Sequence, residues 1–554
     1  MSFLSGEIVK GTNWRAVERA VARLMTHCGW NNVRIVGGRG DGGGDIIATR
    51  WGNGRQIVYV VQVKAVTGHN YVGHSAMQEV LNAMALYGAD IGVVATNGDF
   101  TDSAHTRGAK LKSQGFDIRL WNGKFIQELL ASWPSEMSPQ YKELRPYQLD
   151  VVTNTLTRYQ AGVNHTQFVV ATGLGKTVIA ADIVSKLAMQ GLHRTLVLCH
   201  AQELALQLEQ SFWTQLGRSV PTSIFFDGSL PKVGEGVSFG LYQTFSNYLN
   251  SIVSDAYDLV IVDEAHHALA QGFVRCLNYL KPKLMVGMTA TPWRGDGLTL
   301  DTIFGPPVAQ VSLVDGMQMG YLAQADYRIY YDTIDWDKIA RESHDKISIS
   351  ELNKRLFVPQ RDEAVIEKIN EACQETPKSK IIIFCASIEH ARRFAAQLTA
   401  LSRLICKPLS GVDKVERNRT LMEFAAGKIQ AVTAVDILNE GIDVPDVNIL
   451  VFLRTTHSRR IFVQQLGRGL RISPGKDKVL VMDFVADVRR LAGIIKLDKE
   501  ARHSRTAYQE VYFNQGIITF MNQGMLPFVQ QWLKDVADFD DADDAAYLTF
   551  PEEL

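Results

Sequence analysis

Two periods of apolar and polar residues alternate along this chain, and the switches between them mark its elements. Residues 167–170 (QFVV) form a short apolar run, and residues 176–191 (KTVIAADIVSKLAMQG) continue with apolar positions at helical spacing. That pattern predicts a strand, a glycine-rich turn and a helix. Residues 257–262 (YDLVIV) read as a buried strand. Short apolar runs near 380–385, 429–434, 447–452 and 479–482 alternate with helical stretches, the rhythm of a parallel sheet wound with helices. Nearer the front, residues 14–24 predict an amphipathic helix and residues 125–130 an apolar one. Between them, runs at 45–49 and 57–64 flank residues 51–55 (WGNGR), whose Asn-Gly pair signals a hairpin.

Composition narrows the class. At 554 residues the chain is too long for one core and long enough for three or four domains. Hydrophobic content of 46% and charged content of 21% are ordinary for a soluble protein. No apolar run approaches the ~18 residues of a membrane span, and the first residues lack the charged-then-apolar pattern of a secretory signal. The six cysteines (28, 199, 276, 373, 385, 406) contain no CxxC pair. That argues against zinc and against a disulfide framework, and a cytoplasmic location is expected. The net charge of −1 leaves nucleic acid open as a partner. Residues 1–134 carry 14 Lys and Arg against 10 Asp and Glu, while the tail from Asp535 carries eight acids and no base.

The turn at 171–177 (ATGLGKT) carries the first candidate chemistry. Thr172, Gly173, Leu174 and Gly175 would aim backbone N–H groups and a helix N-terminus at a polyphosphate. Lys176 would reach the β- and γ-phosphates and Thr177 would ligate Mg²⁺. The full phosphate-loop pattern wants glycine at 170, where this chain has Val170. The strand at 257–262 runs into Asp263 and Glu264 of a DEAH sequence. Asp263 is placed to hold Mg²⁺ and Glu264 to orient and deprotonate the attacking water.

The front of the chain carries a second constellation. Residues 39–45 (RGDGGGD) lead into the first hairpin strand, and Gln62 and Lys64 lie two apart on the second, so both leave one face of it. The hairpin turns that face toward Asp45. An acid, a second oxygen ligand and a lysine beside glycines suit metal-assisted phosphodiester hydrolysis. Asp45 and Gln62 would hold the metal, and Lys64 would stabilise developing charge. Asp41 competes with Asp45 for the ligand role.

With these motifs in hand, the chain resembles two known families. Residues 144–148 (LRPYQ), 199–204 (CHAQEL), 242–244 (YQT), 289–292 (TATP), 383–385 (IFC), 437–445 (ILNEGIDVP) and 464–471 (QQLGRGLR) join the phosphate loop and DEAH in order. Together they resemble superfamily 2 helicases of the DEAH type, in the branch of restriction-enzyme motors and repair helicases. The resemblance implies ATP as cofactor, Arg145 and Gln148 beside the adenine, and Gly441, Asp443 and Gln464 with the nucleotide. It implies Arg468 and Arg471 at the γ-phosphate, both on one helix face at i, i+3 spacing. Gln202 and Thr244 would meet the phosphates of a DNA strand, with Arg294 and Arg459 as further candidate contacts. Residues 1–134 resemble the Mrr-like restriction endonucleases of the PD-(D/E)xK fold, in which glutamine stands where most relatives have an acid. That resemblance implies Glu18 as an additional acid at the metal.

The expected architecture is α/β: a restriction-endonuclease-like domain (1–134), two tandem RecA-like parallel-sheet domains (138–325 and 326–488) and a helical extension with the acidic tail (489–554). The expected function is an ATP-dependent DNA helicase or translocase with a Mg²⁺-dependent endonuclease, acting in restriction or anti-phage defence. A repair helicase whose front domain only binds DNA, and an ATPase-gated nuclease without unwinding, stand as alternatives. DNA is the expected partner, single- or double-stranded, and pairing of nuclease domains in a homodimer is a further expectation. The short linker over 133–140 would hold the nuclease near the motor's track, since flexible reach grows as about 5–6 Å × √n.

Overall fold

The computed structural model describes residues 11, 13–36, 42–132, 137–225, 233–290, 300–330, 362–435, 446–453, 467 and 469–484, apart from single positions at 53, 69, 270, 386 and 477, with the strand pair 347–348 and 547–548. The chain packs into two compact units. One holds residues 1–167, 177–287 and 413–419, and the other 168–176, 288–412 and 420–554.

The front domain opens with helix α1 (Trp14–His27), capped by the Asn13 side chain. Strands β1 (Asn31–Ile35), β2 (Ile46–Gly52) and β3 (Arg55–Lys64) follow, then α2 (Ser75–Tyr87), β4 (Ile91–Thr96), α3 (Asp102–Ser113), β5 (Asp117–Trp121) and α4 (Gly123–Ala131). The five strands form one sheet in sequence order. β1, β2 and β3 pair antiparallel, and β3, β4 and β5 pair parallel. The hairpin closes with Gly52 opposite Arg55, where the sequence signal placed it. Helix α2 crosses from β3 to β4 and packs on both.

The first motor sheet is built from α5 (Pro146–Gln160), β6 (His165–Val170), α6 (Lys176–Ala188), β7 (Arg194–Cys199), α7 (Gln202–Trp213), β8 (Thr222–Ile224), β9 (Gly236–Leu241), α8 (Tyr242–Asn247), β10 (Leu259–Asp263), α9 (Gln271–Tyr279), β11 (Leu284–Thr289) and β12 (Gln310–Val311). Its seven strands run in the order β8-β9-β7-β10-β11-β6-β12. Every residue of β10 is buried, and its Leu-Val-Ile-Val run suits a strand covered on both faces. The second sheet has six strands: β13 (Gln324–Tyr330), β14 (Ile381–Phe384), β15 (Cys406–Pro408), β16 (Ala431–Ala434), β17 (Ile449–Phe452) and β18 (Lys478–Phe484). The order is β13-β18-β17-β14-β16-β15, parallel throughout. Helices α10 (Asp362–Glu375), α11 (Ile388–Leu401) and α12 (Lys414–Ala425) connect its strands. Two chain-wound parallel sheets and a smaller mixed one make the α/β architecture that the apolar periods predict.

All six cysteines are free, and Cys199, Cys276, Cys385 and Cys406 are buried. Burial pushes the thiols of Cys276 and Cys385 up to about 12, so both pack as neutral core residues. Among the described residues, no helix is long and apolar enough to cross a membrane.

The junction between front domain and motor departs from a flexible tether. Helix α1 is buried along almost its whole length, Ala16 through His27. The amphipathic reading leaves one face wet, but α7 of the motor covers that face. Trp213, at the end of α7, belongs to the same core cluster as Val17, Ala20, Val21 and Leu24 of α1. Arg19 pairs with Glu209 of α7 at 3.5 Å, with side chains 9% and 1% exposed. Arg23, fully buried, donates to the Gly217 carbonyl at 3.1 Å. Glu209 also accepts from Thr222 Oγ1, and Thr222 Oγ1 accepts from Trp213 Nε1. Gln140, at the end of the linker, donates to the Trp30 carbonyl at 2.7 Å. The front domain is therefore docked on the sheet that follows it through a core and a buried ion pair, not held by linker length.

This docking has a measurable cost of disruption. Removing one partner of a buried ion pair typically destabilises by about 3–5 kcal/mol, because the other charge stays buried. Arg19→Ala is expected to lower the unfolding midpoint of the intact chain in chemical denaturation, and Arg19→Ala with Glu209→Ala to lower it by less than the two single effects together. Additive effects of the two substitutions would contradict the pairing.

Candidate active sites

The first candidate site is assembled where the hairpin meets the glycine run. Asp45 immediately precedes β2, and Gln62 and Lys64 lie near the end of β3, whose Val61 pairs with Ile46. Asp45 Oδ2 accepts from the Val63 amide at 2.6 Å and from Gln62 Nε2 at 2.8 Å. Asp45 and Gln62 are both buried, at 6% and 5% exposure. With Nε2 turned to Asp45, the buried Gln62 Oε1 has no hydrogen-bond partner among the described residues. A buried oxygen of that kind costs free energy unless something meets it, and a hard divalent cation is a fitting partner. The donor set of Asp45 and Gln62 therefore fits a metal. Among the described residues, no group of three His, Cys, Asp or Glu side chains converges tightly enough to hold one alone.

Glycine at position 43 is what leaves this space open. Gly43 is left-handed, at φ +90°, and a Cβ there would lie 3.0 Å from Gln62 Oε1 and 2.6 Å from the Glu79 Cβ. Lys64, half-exposed, points its ammonium at Glu79 Oε2, 2.5 Å away. Glu79 is the residue that sequence reading passes over. It sits on α2, separated from Lys64 by a loop and about one turn of helix, and no strand or motif spacing points to it. Glu18 is buried on α1, the helix that packs on β1 and β3. Asp41 lies outside the described residues.

The second candidate site begins at the end of β6. Gly173 and Gly175 take left-handed backbone, φ +90° and +84°, and α6 starts at Lys176. The loop 171–175 thus turns directly into a helix N-terminus, the geometry that suits a polyphosphate. Close packing explains the glycine at 173. A Cβ there would lie 2.6 Å from the Gly467 carbonyl oxygen and 3.4 Å from Arg471 Cγ. Gly467 is equally constrained, since its Cβ would lie 2.6 Å from the Thr172 carbonyl oxygen. The stem of Arg471 therefore lies against the phosphate loop.

Arg471 gets there by a different route from the one the spacing predicts. Gly467 and Gly469 are helical, but Arg471 forms an antiparallel bridge with Leu322. The Ala323 amide donates to the Leu470 carbonyl. That carbonyl pairs with the strand, and Arg471 itself lies in the bridge rather than in a helix. Arg468, Gln464, Gly441, Asp443, Arg459 and Arg294 lie outside the described residues.

Asp263 closes β10 and is buried, and Glu264 follows with φ +46°. Left-handed backbone is uncommon for glutamate and costs energy that the surrounding structure must hold. Glu264 Oε2 lies 3.3 Å from His266 Nδ1. The rings of His266 and His267 are 4.2 Å apart, and those of His267 and His200 4.9 Å apart. β7 and β10 are parallel neighbours, so Cys199-His200 and Asp263-Glu264 leave the sheet side by side. Gln202, exposed, opens α7 just beyond; Thr244, half-buried, lies on α8. Gln148 is buried and its amide oxygen accepts from the Arg145 amide at 2.9 Å, so it caps α5.

Family comparisons agree with this division. Residues 9–130 match the family described as restriction endonuclease. Residues 141–294 match the res subunit of type III restriction enzymes, and residues 360–473 the helicase conserved C-terminal domain. The chain joins a restriction-endonuclease domain to a two-part helicase motor. The putative ATP-dependent helicase IRC3 of Saccharomyces cerevisiae is 23% identical over 62% of this chain and 51% of its own length. The type I restriction enzyme EcoAI endonuclease subunit of Escherichia coli is 24% identical over 84% of this chain and 65% of its own. The chain thus spans between half and two thirds of these relatives. A solved type ISP restriction-modification enzyme, LlaBIII bound to DNA, shares the fold, with a TM-score of 0.51 at 17% identity over 88% of this chain and 37% of that one. In this helicase–nuclease chain, the endonuclease domain holds Asp45, Gln62, Lys64 and Glu79, and the motor holds the phosphate loop and DEAH.

Proposed function

We propose that this chain is an ATP-driven DNA translocase or helicase that carries its own metal-dependent endonuclease and acts on foreign DNA in restriction. The docking of α1 on α7 carries the reading. The helix that bears Glu18 is packed against the helix that begins at Gln202, so the endonuclease is fixed to a motor element that the helicase resemblance puts beside the DNA strand.

In this reading Lys176 and the loop amides bind the phosphates of ATP, Thr177 and Asp263 would hold its Mg²⁺, and Glu264 takes the proton of the attacking water. Arg471 neutralises charge at the γ-phosphate. In the endonuclease, Asp45 and Gln62 would hold a divalent ion, Mg²⁺ in the cell, whose chemistry is to polarise the phosphodiester. Lys64 stabilises charge that develops as the bond breaks. Gly441, Asp443 and Gln464 belong with the nucleotide, and Thr244, Arg294 and Arg459 with the DNA. The protein works in the cytoplasm, and two copies meeting through their endonuclease domains would cut both strands.

Coupling is the test of this reading. DNA is expected to stimulate ATP hydrolysis, and ATP to change the rate or position of cleavage by the intact chain on linear and circular DNA. The cutting pattern should differ among wild type with ATP, wild type without it, and the Lys176→Ala variant with ATP. Both activities should weaken as salt rises, since phosphate contacts dominate such binding. An identical pattern under all three conditions would refute a shared mechanism. Cleavage that responds to ATP with no strand displacement would favour a gated nuclease instead.

A further inference from the structure

A neutral glutamine at position 62 leaves the endonuclease site short of one negative charge. Asp45 and the Glu18 that the resemblance puts at the metal contribute −2 and Lys64 +1, a sum of −1, one charge short of what an acid at position 62 would give. A divalent cation is held less firmly by a site of lower negative charge.

We propose that Glu79 is a further carboxylate of the endonuclease site, beyond Asp45 and Glu18: it pins the Lys64 ammonium and restores the negative charge that an acid at position 62 would supply. This rests on the reading of residues 9–130 as a metal-dependent nuclease. Three observations carry it. Lys64 Nζ and Glu79 Oε2 are 2.5 Å apart, a charge-assisted contact between half-exposed side chains. The vacant Cβ position of Gly43 is bounded on one side by the Glu79 Cβ and on the other by Gln62 Oε1, so the stem of the acid and the amide oxygen border one space. The Gln62 Oε1 that faces it is buried and without a hydrogen-bond partner among the described residues.

The topology explains why a helix can stand in for the strand position. β3 runs into a loop and then into α2, which packs back on β3 and β4. The first turns of α2 therefore return to the end of β3, where Lys64 lies. Glu79 is one of the α2 residues on that return. Its neighbours Ala76, Met77 and Val80 are buried against the sheet, and Glu79 is left half-buried at the edge of that contact. Glu79 acts on the reaction through Lys64 and through the field at the metal, as a positioning residue. Its carboxylate holds the ammonium at the end of β3 when no phosphate is present, and the ammonium stays close enough to turn to a phosphate oxygen.

Charge relocation tests the assignment. Manganese binding to the intact protein is measured by titration calorimetry and by the loss of the free-ion paramagnetic resonance signal. Nicking of supercoiled DNA is measured alongside, with the thermal unfolding midpoint as the control for folding. Glu79→Gln is expected to weaken Mn²⁺ binding about 10- to 100-fold, the range seen when the residues supporting a metal site are lost. It should lower nicking while leaving the unfolding midpoint unchanged. Adding Gln62→Glu to Glu79→Gln moves the carboxylate across the site and should return Mn²⁺ affinity toward the wild-type value. Glu79→Ala should resemble Glu79→Gln, and adding Gln62→Glu should rescue it too. A purely structural role for Glu79 would not be rescued from position 62. Unchanged Mn²⁺ affinity in Glu79→Gln, or affinity that Gln62→Glu fails to restore, overturns the proposal while the nuclease reading stands. Wild-type protein that neither binds Mn²⁺ nor nicks DNA overturns both.

Discussion

Glutamine at position 264 is expected to stop ATP turnover while leaving nucleotide binding close to normal. Glu264 is the acid that immediately follows β10, held in left-handed backbone with its carboxylate against His266. Glutamine has nearly the same shape, so the backbone and the histidine contact can survive. What it cannot do is take a proton from water. Loss of a positioned general base costs about 10²–10⁴ in rate, and single-turnover hydrolysis should fall by at least that much. Binding should persist because the phosphate loop and Asp263 are untouched. Lys176→Ala should behave in the opposite way and weaken binding itself, since the cation that meets the phosphates is gone. A fluorescent ATP analogue separates the two. Hydrolysis at the wild-type rate in Glu264→Gln would sink the assignment of the motor's catalytic base.

Alanine at position 45 is expected to eliminate DNA cleavage and to spare DNA-stimulated ATP hydrolysis. The Asp45 carboxylate is buried and gathers the Val63 amide and the Gln62 amide group. Removing it takes away the charged ligand and leaves two donors without their acceptor, at a cost of about 1–3 kcal/mol for each one unmet. Asp45→Asn is the milder companion, because an amide oxygen can still accept from Val63. Cleavage should be lost in both variants, while the unfolding midpoint should drop chiefly in Asp45→Ala. The motor should be indifferent to either, since α1, Arg19 and Arg23 make the junction and Asp45 is not among them. Nicking by Asp45→Asn at the wild-type rate would show that another acid holds the metal, and Asp41 is the first to test.

How much of this was legible beforehand follows from what each signal depends on. The strands at 165–170, 259–263, 381–384, 431–434 and 449–452 could be read because a strand buried on both faces needs a continuous apolar run. The hairpin was legible because its Asn-Gly turn demands residues tolerant of left-handed backbone. The phosphate loop and the DEAH acids are contiguous in sequence, so their chemistry is local and visible. The buried cysteines could be read from their apolar neighbours.

Three features were not legible, each because it depends on residues far apart in the chain. The period of α1 indicates which face is apolar but not that α7, nearly 200 residues later, covers the other. Arg19 and Arg23 are buried there. The departure of Arg471 from its helix is decided by a backbone pairing with Leu322, which no i, i+3 count includes. Glu79 joins Lys64 only because α2 folds back on β3 and β4. The sequence by itself determined the α/β layout and named the two candidate chemistries with the residues proposed to carry them, since these rest on periodicity and on short contiguous motifs. Tertiary structure alone decided that the endonuclease is docked on the motor, that Arg471 lies against the phosphate loop through a strand bridge, and that Glu79 stands beside the lysine. Those outcomes depend on which surfaces meet, and long-range packing sets that.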